Sequence, residues 1–300
     1  MTNPNGGDTV RLGLVSPRPL PDAYLRHATG YLESRVSDLT MTEVPVDGFA
    51  ATTFTGTATD TFEGWNAELI SPATALGIDA ALTWGELAEN GPSLIVTDVD
   101  STFLQDEVIE LLARRAGKED EVKEVTDRAM RGELGFEESL KERVATLAGL
   151  PVTIIEDVAN EIRLTPGADT LVRLAHDRGA KFGLVSGGFT KVLDPLANEL
   201  SIDNWIANEL EVNDNALTGR TIGQVVGRQT KAATVTQWAE SYGIPLERTV
   251  CVGDGANDLD MLGIAGLGIA FQAKPIVREQ ADANITLNRL DAVGALFGWS

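Results

Sequence analysis

The sequence predicts an α/β protein: a core domain built on a parallel sheet, with a helical insertion after its first strand and a separate α+β domain of order β-α-β-β-α-β before it. Three observations predict this. From residue 165 onward, helical and strand patterns alternate, as they do in strand-helix-strand units whose strands run parallel. Between residues 106 and 162 only helical periodicity occurs, with breaks at Gly117, Gly132 and Leu150-Pro151. The first ninety residues have a character of their own, with four arginines, twelve acids and no lysine, and they end in the turn cluster Asn90-Gly91-Pro92.

Each element follows from its pattern. Val10, Leu12 and Leu14 alternate as a strand, and Tyr24, Ala28, Tyr31, Leu32 and Val36 fall on one helical face. Val44 and Val46 suggest a second strand and residues 49–57 a third. Phe62, Trp65 and Leu69 mark a second helix, residues 80–84 a closing strand and residues 86–92 a linker. Ser93-Leu94-Ile95-Val96-Thr97 is a compact apolar run of the kind buried on both faces of a sheet. After the helical stretch come a helix ending near Asp177, a strand over 181–185, a helix and a strand over 206–212. A helix over 230–242, a strand over 249–252, a helix and a strand over 267–271 complete the series.

Composition narrows the function. At 43% hydrophobic and 23% charged, 300 residues make a globular chain of about two domains. A net charge of −21 with no Lys/Arg cluster argues against a nucleic-acid partner. The apolar stretches are short and interrupted and the first eight residues are polar, so no membrane partner is expected and the protein reads as cytoplasmic. Cys251 stands alone, and His27 and His176 lie in unrelated contexts, which leaves little for thiol or histidine chemistry.

In open parallel sheets, ligands collect at the carboxyl ends of the strands. Four places there carry polar residues: Asp98-Val99-Asp100-Ser101-Thr102, Ser186-Gly187-Gly188, Gly253-Asp254-Gly255-Ala256-Asn257-Asp258, and Lys231 near a helix start. Carboxylates grouped in this way repel one another unless a cation joins them, and a hard divalent ion such as Mg2+ suits their oxygens. With a lysine, a small hydroxyl residue and glycine N–H groups, the set is suited to a phosphoryl group. No G-x-x-x-x-G-K-[ST] loop is present, and the residue six after Cys251 is Asn257 rather than arginine. A carboxylate nucleophile is the phosphoryl chemistry these residues still allow.

These four motifs, in order and spacing, resemble those of the haloacid dehalogenase superfamily. Over some two-thirds of the chain, from about Ser93 onward, the sequence is similar to the phosphoserine phosphatases, through residues 98–107, 136–144, 185–189 and 271–275. The resemblance implies a Rossmann-like core and Mg2+-dependent hydrolysis of phosphoserine, the last step of serine biosynthesis. It implies Asp98 as nucleophile, Asp100 as acid and then base, and Lys231 as a catalytic cation. Mg2+ would be held by Asp98, the Asp100 carbonyl and Asp254. Phosphate would be held by Ser186, Gly187 and Lys231, with Asn257 beside it and Asp258 and Thr102 in support. Arg143 would meet the substrate carboxylate, Glu107 its ammonium, and Phe136 would close an apolar wall. The helical insertion, about residues 105–164, becomes a cap within a phosphatase domain of residues 89–300. The order of elements in residues 1–88 resembles a regulatory domain of the ACT type, which implies free serine as a regulator; its exposed strands and one-sided helices need a cover, either a second copy across a two-fold axis, giving a homodimer, or the catalytic domain.

Other readings stay open. The same nucleophile could serve another small phosphomonoester, or phosphoryl transfer to an acceptor such as homoserine; a non-catalytic amino-acid sensor would have no need of the full set. Arg143 could instead pair with Glu138 or Glu142 on a solvated helix face.

Overall fold

The computed structural model describes residues 4–61, 63–131 and 133–300, with Met130 described by its backbone alone. The expected share of Phe62 in a helix and the break at Gly132 therefore lie outside the described residues. The first unit consists of β1 (Thr9–Ser16), α1 (Asp22–Glu33), β2 (Val36–Val44) and β3 (Ala50–Ala58), then a wide helical turn (Asn66–Ile70) running into α2 (Ser71–Ala75), and β4 (Asp79–Trp84). Its strands form an antiparallel sheet of order β2-β3-β1-β4. Val36, expected on the helix face, opens β2 instead, because the chain reverses at Arg35, whose N–H bonds the Leu32 carbonyl. Val46 falls just outside β2. Tyr24, Ala28, Leu32, Leu69 and Ala73 pack on one face, against Val10, Leu12, Leu14 and Phe54.

The other face of this sheet is covered from within the chain. Val15, Phe49, Ala51 and Ala81 share a core with Leu290, Leu296, Phe297 and Trp299. A Cβ on Gly13 would overlap the Leu296 carbonyl oxygen, so glycine is what permits the approach. Asp79 ties the units together: it accepts from the N–H groups of Thr286 (2.7 Å) and Leu287 (2.9 Å) and from the Thr286 hydroxyl (2.8 Å). Arg11 donates to the carbonyls of Ala88 (2.9 Å) and Phe297 (3.1 Å). The expected linker is largely a helix, α3 (Glu86–Asn90), which buries Leu87 and Ala88.

The core follows as β5 (Leu94–Thr97), the four insertion helices α4 (Val108–Arg115), α5 (Glu119–Met130), α6 (Phe136–Ala145) and α7 (Thr153–Ala159), then α8 (Ala168–Asp177), β6 (Lys181–Phe189) and α9 (Thr190–Glu199). Next are β7 (Asn204–Asn213), β8 (Ala216–Ile222), α10 (Arg228–Tyr242), β9 (Thr249–Gly253), α11 (Leu259–Ile264), β10 (Leu267–Phe271), α12 (Pro275–Gln280), β11 (Ala283–Ile285) and α13 (Ala292–Ala295). The seven strands lie in the order β11-β10-β9-β5-β6-β7-β8. Leu94 and Val96 face the layer of α10 and α11, and Ile95 faces the opposite core. The sheet is not wholly parallel as expected, since β8 returns antiparallel to β7. The hairpin turns at Asp214 and Asn215, both at positive φ (51° and 60°), which these two residue types tolerate.

The insertion leaves the core through a narrow neck. Leu104 stands opposite Leu164, the Gln105 N–H bonds the Arg163 carbonyl, and Arg163 pairs with Asp106 at 2.8 Å. The β7-β8 hairpin meets it again at residues 149–152, where Leu217 N–H bonds the Leu150 carbonyl and Gly149 N–H the Leu217 carbonyl. No described helix is long and apolar enough to cross a membrane.

Candidate active site

Chain order reverses around β5, between β9 on one side and β6 on the other. Their carboxyl ends carry Asp98, Asp254 and Ser186, so the polar residues gather where the topology leaves a crevice. The Asp98 N–H continues the ladder by bonding the Val252 carbonyl (2.8 Å). A wide turn over Val99–Phe103 then reverses the chain, with Asp100 extended and Ser101 left-handed at φ 57°. That turn points the Asp100 Oδ1 at the Val108 N–H (3.1 Å), and the Ser101 hydroxyl donates to Glu107 Oε1 (2.7 Å).

At the centre is Lys231, wholly buried, which donates to Asp98 Oδ1 at 2.5 Å and Asp258 Oδ1 at 2.7 Å. The other Asp258 oxygen accepts the Gly255 N–H (2.9 Å). Carboxylate oxygens of Asp98, Asp254 and Asp258 lie within 4.8 Å of one another. Burial pushes Asp98 well above the usual carboxylate range; Asp258 and Asp254 push the same way, and Lys231 opposes them. Burial likewise raises Asp254 to about 7, with Asp258 and Glu107 adding. Asp100 also reaches about 7, through burial and then Glu107, against the Val108 N–H and Lys231. Three carboxylates this close need positive charge beyond one ammonium to ionise together, so a divalent cation with oxygen ligands fits the donor set. Because the chain already engages both Asp258 oxygens, Asp98 and Asp254 are the side chains left for it.

Ser186 and Gly187 lie within β6, which runs on past the expected end at Val185. The Ser186 hydroxyl accepts the Gly188 N–H (2.8 Å), and a Cβ on Gly188 would stand 2.8 Å from Asp100 Oδ2. The insertion closes over this floor. The Phe136 ring comes within 3.0 Å of where a Gly187 Cβ would be and 3.5 Å of one on Gly227. Burial lowers Arg143, while Glu107, Asp100 and Glu110 pull it back up, which places the guanidinium in the field of the two site acids. Arg143 makes no ion pair with Glu138 or Glu142; Glu142 is taken by Arg128 at 2.7 Å.

Thr102 is buried, and its Oγ1 has no hydrogen-bond partner among the described residues; the same holds for Thr97, one residue before Asp98. Asn257 packs its amide oxygen against Gly255. Cys251 is buried in β9, and His176 bonds Asp203 (3.0 Å) rather than any residue of the phosphoryl motifs. Sequence reasoning missed Asn208, buried in β7, which bonds both Gly187 and Val226. An amide at a buried strand position, where asparagine is normally depleted, was the available signal.

Comparison with known proteins matches the haloacid dehalogenase-like hydrolase family to residues 95–263. The phosphoserine phosphatase SerB2 of Mycobacterium tuberculosis is 54% identical over 221 residues, covering 74% of this chain and 54% of that protein. The chain thus spans about half the length of that relative. A solved structure described as a phospho-aspartyl intermediate analogue of phosphoserine phosphatase is 42% identical, with a TM-score of 0.64, covering 67% of this chain and 97% of the other. A probable phosphoserine phosphatase from Vibrio cholerae, unliganded, matches at 34% identity and a TM-score of 0.73, covering 96% of this chain and 86% of the other.

Proposed function

The chain belongs to the haloacid dehalogenase-like hydrolases, and from that premise we propose that it hydrolyses O-phospho-L-serine to L-serine and phosphate, as a cytoplasmic enzyme completing serine biosynthesis. The observation that carries the reading is the descent of the insertion onto the carboxylate cluster: Phe136 over Gly187, and Arg143 in the field of Glu107 and Asp100. Phosphoserine offers a dianionic phosphate, a carboxylate and an ammonium. Lys231 with the Ser186-Gly187 turn, Arg143, and Glu107 are their respective counterparts.

In this reading an Asp98 oxygen attacks phosphorus and the bond to the serine oxygen breaks. Asp100 gives its proton to that leaving oxygen. Asp100, now a carboxylate, takes a proton from water, whose oxygen attacks the phosphorus of the aspartyl-phosphate; the bond to Asp98 breaks and phosphate leaves. Lys231 opposes the charge on Asp98 and on the phosphoryl oxygens throughout. Asp98, Asp254 and the Asp100 carbonyl would hold Mg2+, which would supply further positive charge against phosphate. Residues 1–88 act as a regulatory domain in the same reading, with free serine as ligand and a homodimer as the assembly.

Phosphate release from a panel of phosphorylated small metabolites, with Mg2+ present or chelated, tests the proposal. Phosphoserine should lead the panel and chelation should abolish release. A different preferred ester, or release indifferent to chelation, overturns it.

A further inference from the structure

Asn208 lies where β6 and β7 lose register. Val185 stands opposite Ile206 and Phe189 opposite Asn208, so four steps along β6 match two along β7. The surplus is the Ser186-Gly187-Gly188 stretch of β6, a bulge with no register partner in β7. The Asn208 side chain fills that break. Its Nδ2 donates to the Gly187 carbonyl at 2.8 Å, and its Oδ1 accepts the Val226 N–H at 2.8 Å. At 2% exposure it is shut away from water. Only one orientation of the amide serves, since exchanging oxygen and nitrogen would set like against like at both ends. The side chain thus replaces a peptide group, a donor on one side and an acceptor on the other.

What it joins is specific. Val226 precedes Gly227, whose carbonyl accepts the Lys231 N–H (2.9 Å) at the start of α10. Gly187 and Gly227 both lie beneath the Phe136 ring, and a Cβ on Gly187 would be 3.9 Å from the Val226 carbonyl oxygen. Asparagine is the residue type that can bond a carbonyl and an N–H at once from a short, stiff stem; leucine would fill the space and satisfy neither.

We propose that Asn208 is a positioning residue, which clamps the Ser186-Gly187-Gly188 turn to the segment before Lys231 so that the turn and the ammonium converge on one phosphoryl group. This rests on the reading that Ser186, Gly187 and Lys231 receive the phosphate.

The test compares wild type with Asn208→Ala, and with the isosteric Asn208→Asp, which keeps the acceptor for Val226 but turns an oxygen on the Gly187 carbonyl. Thermal unfolding identifies the variants that fold. Titration with inorganic phosphate in Mg2+, and KM and kcat for phosphoserine and an aryl phosphate, are the readouts. Both variants should bind phosphate about tenfold or more weakly, and KM should rise by the same factor for both substrates, because Arg143 and Glu107 are untouched. A role in folding alone would lower kcat through the active fraction and leave KM and phosphate affinity as they were, and that result overturns the proposal. If the wild type neither binds phosphate nor releases it from any ester, the underlying reading fails and this proposal with it; a wild type that binds, beside a folded variant that binds equally well, defeats the clamp alone.

Discussion

The wholly buried Lys231 ammonium stands 2.5 Å from Asp98 Oδ1, and it is the only cation among the described residues to make an ion pair with that carboxylate. Burial would pull the ammonium down, but Asp258 and Asp98 hold it above its ordinary value. One positive charge between two buried carboxylates leaves the trio net negative, and a bound cation would complete it. The two members of the pair therefore differ in what their removal does.

Asp98→Asn removes the attacking charge while Lys231 keeps Asp258 as its partner. Phosphoserine turnover should fall by several orders of magnitude with the fold intact. Lys231→Met strands two buried carboxylates and should destabilise the protein by about 3–5 kcal/mol. Turnover and unfolding temperature measured on both variants separate the effects; an Asp98→Asn protein keeping a tenth of the wild-type rate would rule out this residue as nucleophile.

Arg143→Ala addresses substrate choice. Only phosphoserine has a carboxylate for the guanidinium to pair with, so kcat/KM should drop by roughly tenfold to a hundredfold for phosphoserine and little for an aryl phosphate, on the scale of one charge-assisted pair of about 1.5–3 kcal/mol. Equal losses for the two substrates would move Arg143 to the phosphate or to the packing of the insertion.

Stability should depend on pH through Asp203, away from the site. Burial raises this carboxyl, but hydrogen bonds from Lys181 (2.7 Å), the Phe182 N–H (2.9 Å) and His176 (3.0 Å) outweigh it and hold it below its ordinary value. A depressed carboxyl contributes stability that is present above its unfolded pKa, near 4, and lost as pH falls through the lower folded value. Asp203→Asn should therefore cost about 1–2 kcal/mol at neutral pH and progressively less below about pH 4. Denaturant midpoints across that range provide the check, and a difference that stays constant down to pH 2 would contradict the assignment.

How much was legible in the sequence depended on whether a residue's role is local. Leu94 to Thr97 reads as a doubly buried strand because both faces demand apolar side chains, and Asp98 and Asp254 are legible because they directly follow strands, whereas Ser186 follows only the apolar part of β6, which runs on to Phe189. By contrast, β8 is half exposed and weakly apolar, and it exists through pairing with β7 and with residues 149–152. The helix α3 reads as a linker in the sequence because five residues carry too little periodicity to declare a buried face. For Asn208 the strand amide marks an unusual position without saying what it serves: its partners exist only because β6 bulges against β7, a matter of register that no single segment encodes.

The phosphoryl motifs all lie after Ser93, so a fragment beginning at Glu89 should turn over phosphoserine at close to the wild-type rate per folded molecule. Its stability is another matter, because the first unit is built into the main core. Removing it uncovers Leu296, Phe297 and Trp299, strands the Thr286 and Leu287 N–H groups that Asp79 accepted, and cuts α3 in half. Re-exposing large apolar side chains costs about 1.5–3 kcal/mol each, so the fragment should lose several kcal/mol and bind a hydrophobic dye. A longer fragment from Gly85, which restores Leu87 and Ala88, should recover part of the loss. Unfolding temperature and specific activity of the two fragments decide the matter. An unchanged unfolding temperature would mean that the packing of the first unit on Leu296 and Trp299 adds nothing in solution, whereas a folded but inactive fragment would show that residues before Glu89 reach the active site.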